Sequence, residues 1–123
     1  MKGLTIVDSG ETMKFDGIIS NVGNPYDAET GHFMCPVAGL YVFSVNLMSE
    51  RYLKEAYGQL VKEGQTITRV YASCTETKHH YSQSATFIIL ECKAGERIWV
   101  ESYKIQSKVY GERFSTFSGY ILK

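Results

Sequence analysis

Gly31-His32-Phe33-Met34-Cys35-Pro36-Val37-Ala38-Gly39-Leu40-Tyr41-Val42-Phe43 is the stretch on which the fold turns. Glycine, proline and a second glycine break the backbone immediately before a strand with alternating aromatic residues. Tyr41, Phe43, Val45 and Leu47 fall on one face at period two, and Leu40, Val42, Ser44 and Asn46 fall on the other. That spacing makes Tyr41 and Phe43 inward anchors of a β-sandwich.

The same reading extends outward. Leu4 to Val7 and Met13 to Ser20 read as strands, the second ending at the turn cluster Asn21-Val22-Gly23-Asn24-Pro25. Residues 26 to 32 read as an ordered loop, Phe33 and Met34 as a brief strand, and 40 to 48 as the strongest strand. Residues 48 to 56 read as a loop. Ala56 to Lys62 and Thr66 to Ala72 flank the turn Glu63-Gly64-Gln65. Ser84 to Cys92 is so uniformly apolar or small that it reads as a central strand covered on both sides. Arg97 to Tyr103 and Ser115 to Leu122 complete the set. No segment sustains helical periodicity, so eight to ten short strands predict an antiparallel sandwich or jelly roll over a single domain, residues 1–123.

Composition narrows the function. Lys plus Arg and Asp plus Glu number 13 each in 123 residues, so the net charge is zero and a nucleic-acid partner is not expected. No apolar run approaches membrane-spanning length, so membrane insertion is not expected either. No apolar stretch follows Met1-Lys2, so the chain reads as cytosolic or as the mature or excised part of a longer secreted chain. Cys35, Cys74 and Cys92 have no metal-ligand spacing; buried thiols or one intradomain disulfide both fit, and the sequence does not choose the pair. No Asn stands at glycan-acceptor spacing.

Chemistry is sparse. His79 and His80 are adjacent, and adjacent strand residues point to opposite faces, so both reach one metal only from a bent loop. No nucleophile elbow, phosphate loop or paired carboxylates can be found, and an enzyme is not expected. The polar stretch 74 to 81 is better read as a contact surface, with Glu76, Lys78, His79, His80 and Tyr81 as ligand-binding candidates. A second loop, 104 to 113, contributes Lys104, Lys108 and Arg113. Nine tyrosines and six phenylalanines exceed what one small core uses. Phe15, Phe33, Tyr41, Phe43 and Phe117 are assigned to the core, and Tyr57, Trp99, Tyr103 and Tyr120 to a subunit seam.

Several spaced motifs together resemble the globular head domain of complement C1q, within the C1q and tumour-necrosis-factor-like superfamily. They are Phe15-Asp16 with Asn21 and Tyr26-Asp27; Thr30-Gly31, Phe33, Pro36, Gly39, Tyr41 and Phe43; Leu90, Gly95-Glu96 and Trp99-Val100; and the closing Phe117-Ser118-Gly119-Tyr120. The resemblance covers essentially the whole chain. It implies a ten-stranded antiparallel jelly-roll β-sandwich, a homotrimer, a secreted setting and a non-enzymatic binding role. Neither a collagen-like nor a coiled-coil stalk lies within these residues.

Some members of that family bind Ca²⁺ through paired aspartates in the loop matching residues 74 to 82. Here the loop has no Asp and Glu76 is its only carboxylate, so no cofactor is expected, although calcium shared between three copies stays open. His79 and His80, brought together around a three-fold axis, would either coordinate a transition metal or repel one another on acidification. Cys74 resembles half of a disulfide of some complement chains, and Tyr57 stands near the expected partner position, so that bridge is expected to be missing. The leading expectation is an innate-immune recognition module for microbial, carbohydrate or other surface ligands. The alternative is a receptor-binding ligand of hormone, cytokine or synaptic-organiser type. A metal-dependent jelly-roll enzyme is a distant third.

Overall fold

Antiparallel pairing organises every strand of the computed structural model, which describes residues 4–7, 10–15, 25–50, 54–74, 81–103, 107–110 and 116–122. The described residues hold ten strands: β1 (Leu4–Val7), β2 (Tyr26–Asp27), β3 (His32–Met34), β4 (Gly39–Glu50), β5 (Lys54–Lys62), β6 (Gln65–Cys74), β7 (Tyr81–Cys92), β8 (Arg97–Ser102), β9 (Ser107–Tyr110) and β10 (Thr116–Ile121). They form a five-stranded sheet in the order β2-β3-β8-β5-β6, a three-stranded sheet β10-β4-β7, and the pair β1-β9. Sequence neighbours β3 and β4, and again β7 and β8, lie in different sheets. The chain therefore crosses the sandwich repeatedly, as a jelly roll requires.

The alternation along β4 sets the core. Tyr41, Phe43, Val45 and Leu47 are all buried. Phe43 meets Phe33 edge-on at 5.3 Å and stacks on Tyr41 at 6.1 Å and Phe117 at 6.2 Å. Phe15 and Phe117 are half-buried at the margin of this cluster, their rings 5.9 Å apart. Gly119 lets β10 close over the ring of Phe43: a Cβ there would lie 2.7 Å from Phe43 Cε1. The Tyr41 hydroxyl donates to the Val37 carbonyl at 2.6 Å, pinning the turn that Pro36 and Gly39 introduce.

Several expectations need correction. Residues 26 to 32 are not wholly loop: Tyr26–Asp27 pairs with His32 and Phe33, because β3 offers those backbone groups a partner. Met13 to Phe15 is not a strand; Gly10 to Met13 instead lies along β8, with an isolated bridge between Thr12 and Glu101. Much of 48 to 56 is strand, since β4 pairs with β7 as far as Glu50 and β5 begins at Lys54. The stretch 104 to 113 contains β9, because β1 pairs with it. Gln65 belongs to β6, leaving a two-residue turn in which Glu63 and Gly64 have φ of 49° and 84°. Positive φ at both positions matches the twist of the hairpin.

The largest departure concerns β7. Its Ile88 and Leu90 face the core, but Phe87 is 64% and Ile89 53% exposed. β7 is an edge strand bonded only to β4, and its second face has no covering layer among the described residues.

Candidate functional site

Two surfaces of the sandwich stand out, one on each sheet. The first is the outer face of β10-β4-β7. Register places Val42 between Ile89 and Tyr120, and Ser44 between Phe87 and Ser118. Leu40 and Leu122 continue the face, joined by a 2.7 Å hydrogen bond from the Leu122 amide to the Leu40 carbonyl. Leu40, Phe87, Ile89, Tyr120 and Leu122 are all exposed, whereas Val42 at their centre is only 2% exposed. Asn46 Nδ2 donates to Thr116 Oγ1 at 3.0 Å, tying two polar side chains of β4 and β10 to each other. Of the charged residues, Glu91 and Glu50 hold positions on this face of the three strands, one at each end. Between those two ends the face is apolar or neutral, the character that interaction surfaces share.

The second surface is the outer face of the five-stranded sheet. Gln59 of β5 is nearly buried and fully engaged. Its Nε2 donates to Glu101 Oε1 at 2.8 Å, while its Oε1 accepts from Thr66 Oγ1 at 3.2 Å and Arg69 Nε at 3.3 Å. The Trp99 indole donates to the other Glu101 oxygen at 3.1 Å. Arg69 lies over the Tyr103 ring at 4.9 Å, and Tyr57 stacks on Tyr71 at 4.5 Å and meets Tyr103 edge-on at 5.3 Å. Gly10, Gln59, Thr66, Arg69, Glu101, Ser102 and Tyr103 line an open depression of about 540 Å³. Its polar groups are satisfied by one another, as a buried network must be to contribute stability.

His32 stacks on Trp99 at 4.4 Å beside this network. Burial, then the neighbouring Arg97, hold its imidazole below the ordinary histidine range, against the opposing charges of Asp27 and Glu63. Its Nδ1 is buried with no hydrogen-bond partner among the described residues. Sequence reasoning passed over His32 because a lone histidine carries no motif; only the register that sets it opposite Trp99 singles it out. Among the described residues, no group of three or more His, Cys, Asp or Glu side chains is placed to hold a metal ion. No helix among them is long and apolar enough to cross a membrane.

The structure divides the residues assigned to a seam. Tyr120 stands on the apolar face, while Tyr57 and Trp99 lie on the five-stranded sheet and Tyr103 follows it directly. Phe33, Tyr41 and Phe43 are buried. Of the ligand-binding candidates, Tyr81 opens β7 opposite Glu50, and Lys108 lies in β9 opposite Ile6; both are strand positions rather than loop positions, because β4 and β1 pair with them. Glu76, Lys78, His79, His80, Lys104 and Arg113 lie outside the described residues. Cys74 ends β6 opposite Lys54, and Tyr57 faces Tyr71.

Comparison with known proteins identifies the family. The family model for the C1q domain matches residues 2–122. Complement C1q tumor necrosis factor-related protein 3 of Mus musculus is 32% identical over 108 residues, which is 88% of this chain and 43% of that protein. Complement C1q tumor necrosis factor-related protein 6 of the same species is 32% identical over 126 residues, covering 98% and 46%. The chain thus spans less than half the length of these relatives. In structure it resembles the globular domain of zebrafish complement 1qA (TM-score 0.74, 15% identity, 100% of this chain and 98% of that one). It also resembles Eiger TNF from S. frugiperda (TM-score 0.76, 20% identity, 95% and 83%). At those identities the structural likeness speaks for the jelly-roll fold, and the family model with the C1q-related sequences speaks for descent: the chain belongs to the C1q domain family.

Proposed function

We propose that residues 1–123 form one secreted, non-enzymatic domain that acts as a homotrimeric ligand of the C1q/TNF type and engages a protein receptor. The observation that carries this reading is the exposed apolar face of β10-β4-β7, which three copies bury against one another. Burying the exposed parts of Phe87, Ile89 and Tyr120 supplies the drive for assembly. The same contact covers the second face of β7. Receptor contact then falls to the segments between strands, with Glu76, Lys78, His79, His80, Lys104 and Arg113 as the candidates, each weak contact multiplied by three-fold valency.

The names of the sequence relatives favour the receptor-ligand reading over microbial or glycan recognition. Two measurements test it. Sedimentation at micromolar concentration is expected to give three times the chain mass. A glycan and microbial-polysaccharide array is expected to stay silent while the trimer binds protein receptors on cells. A monomer in the first experiment removes the assembly. Dose-dependent array binding, competed by free sugar, replaces the receptor ligand with an innate-immune recognition module.

A further inference from the structure

Two of the three cysteines meet inside the core. Cys35 follows β3 at the point where the chain leaves the five-stranded sheet for β4. Cys92 is the last residue of β7, where the chain leaves the three-stranded sheet for β8. The two crossings run side by side. The Cys35 amide donates to the Glu96 carbonyl at 2.9 Å, and the Gly95 amide donates to the Cys35 carbonyl at 2.8 Å. Cys92 sits opposite Gly39, four residues beyond Cys35. Both side chains belong to the hydrophobic core, at 0% and 1% exposure, and each thiol is near enough to shift the other's ionisation. The Cys92 thiol donates to the Leu90 carbonyl at 3.9 Å, a weak contact that it gives up on turning toward Cys35.

We propose that Cys35 and Cys92 form the domain's intradomain disulfide when the chain folds in an oxidising compartment. The bridge staples two sheet-to-sheet crossings at one end of the sandwich. The register excludes Cys74 as a partner. The hairpin end of β5-β6 lies at this end of the molecule, with the Glu63 amide donating to the Arg97 carbonyl and Lys62 3.6 Å from Glu96. Cys74 lies nine residues of extended strand beyond Gln65, about 30 Å away.

The chemistry is thiol–disulfide exchange with a small disulfide oxidant such as oxidised glutathione. The thiolate of one cysteine attacks the oxidant, forming a mixed disulfide and releasing one glutathione thiolate. The second cysteine, deprotonated, attacks the protein-side sulfur, closing the Cys35–Cys92 bond and releasing the second glutathione. The protein loses two protons and two electrons, and the oxidant becomes two thiols. In the folded, reduced domain, burial and then the neighbouring Cys92 thiol push Cys35 up to about 12, and burial raises Cys92 as well. Thiolate is therefore scarce once the core has closed, so the bridge forms during folding.

The inference rests on the secreted setting proposed above, but its test does not. The reduced chain is refolded in a glutathione redox buffer, blocked with an alkylating agent, digested without reductant and mapped by mass spectrometry. A peptide joining Cys35 to Cys92 is expected, and the Cys74→Ser variant is expected to give the same link. Reducing the oxidised protein is expected to lower its Tm by at least about 5 °C. Alkylation of both Cys35 and Cys92 in the refolded protein overturns the proposal, and so does a link from either of them to Cys74. Whether the chain is exported is read separately, from its appearance in the medium of secreting cells.

Discussion

Phe87→Glu tests the apolar face most directly. Phe87 is 64% exposed at the centre of an edge strand and touches the core side of the sandwich little. In a lone subunit the substitution therefore behaves as a surface change, within about 0.5 kcal/mol. In the proposed trimer it removes the burial of the ring's exposed two thirds, about 1–2 kcal/mol. It also strands a carboxylate in a dry seam, which adds about 2 kcal/mol. Three copies bring the loss to about 9–12 kcal/mol per trimer, or about seven decades in a three-body association constant at 1.4 kcal/mol per decade. The half-assembly concentration scales with the square root of that constant, so it rises by about 10³-fold. Analytical ultracentrifugation from nanomolar to high micromolar concentration reads the shift, and circular dichroism reports whether the subunit still folds. Met34→Glu is the control: Met34 is as accessible as Leu40 but lies on the other sheet. A folded Phe87→Glu variant that stays trimeric where the parent does, or a Met34→Glu variant that dissociates equally, refutes the placement of the seam.

Other expectations follow from the interior. Gly119→Ala sets a methyl against Phe43, which Phe33, Tyr41 and Phe117 hold in place, so it is expected to cost about 1–3 kcal/mol in denaturant unfolding. Combining it with Phe43→Leu should cost less than the sum of the two, and strict additivity would contradict the clash. Tyr41→Phe removes the bond to the Val37 carbonyl and is expected to cost about 0.5–1.5 kcal/mol; an unchanged denaturation midpoint would show that the Pro36 turn does not need it. His32 makes stability depend on pH. Its folded-state pKa lies below the ordinary 6.5, so on acidification the unfolded chain takes up the proton first. Its contribution is complete above about pH 6.5 and declines as the pH falls toward the folded value. The denaturation midpoint should drop between pH 7.5 and 5.5, with a shallower slope in His32→Gln; an identical slope in the two proteins would assign the effect elsewhere.

The fold was legible because its decisive information is local. The period-two pattern from Leu40 to Leu47 depends only on which side chains share a face, and Tyr41, Phe43, Val45 and Leu47 are buried as that pattern requires. Pairings between distant segments were less legible. Tyr26–Asp27 reads as a loop until β3 is known to lie beside it, and Ser107–Tyr110 until β1 does. Such short strands carry too few residues for a periodic signal and exist because a neighbour satisfies their backbone groups. The polar network on the five-stranded sheet was invisible for a similar reason. Gln59, Arg69 and Glu101 belong to three strands, and only the register brings Gln59 within 2.8 Å of Glu101 and 3.3 Å of Arg69. The cysteine pair joins positions 57 residues apart through two crossings that no sequence spacing encodes.

The misreading of β7 says most about the molecule. Ser84 to Cys92 reads as covered on both sides because Phe87, Ile88, Ile89 and Leu90 leave no polar alternation. In one subunit that expectation fails: Ile88 and Leu90 point inward while Phe87 and Ile89 face outward. Hydrophobic patterning reports the environment in which a strand is stable, and that environment need not end at the subunit boundary. β4 has the same double character, with Val42 and Leu40 backing onto its aromatic core face. Tyr120 and Leu122 continue the apolar character onto and beyond β10, whereas the outer face of the five-stranded sheet carries Gln59, Arg69, Arg97 and Glu101. The two outer faces thus differ in the property that separates a seam from a solvated surface. On the proposed trimer the apparent error closes, because the second layer that β7 demands is supplied by another copy of the chain.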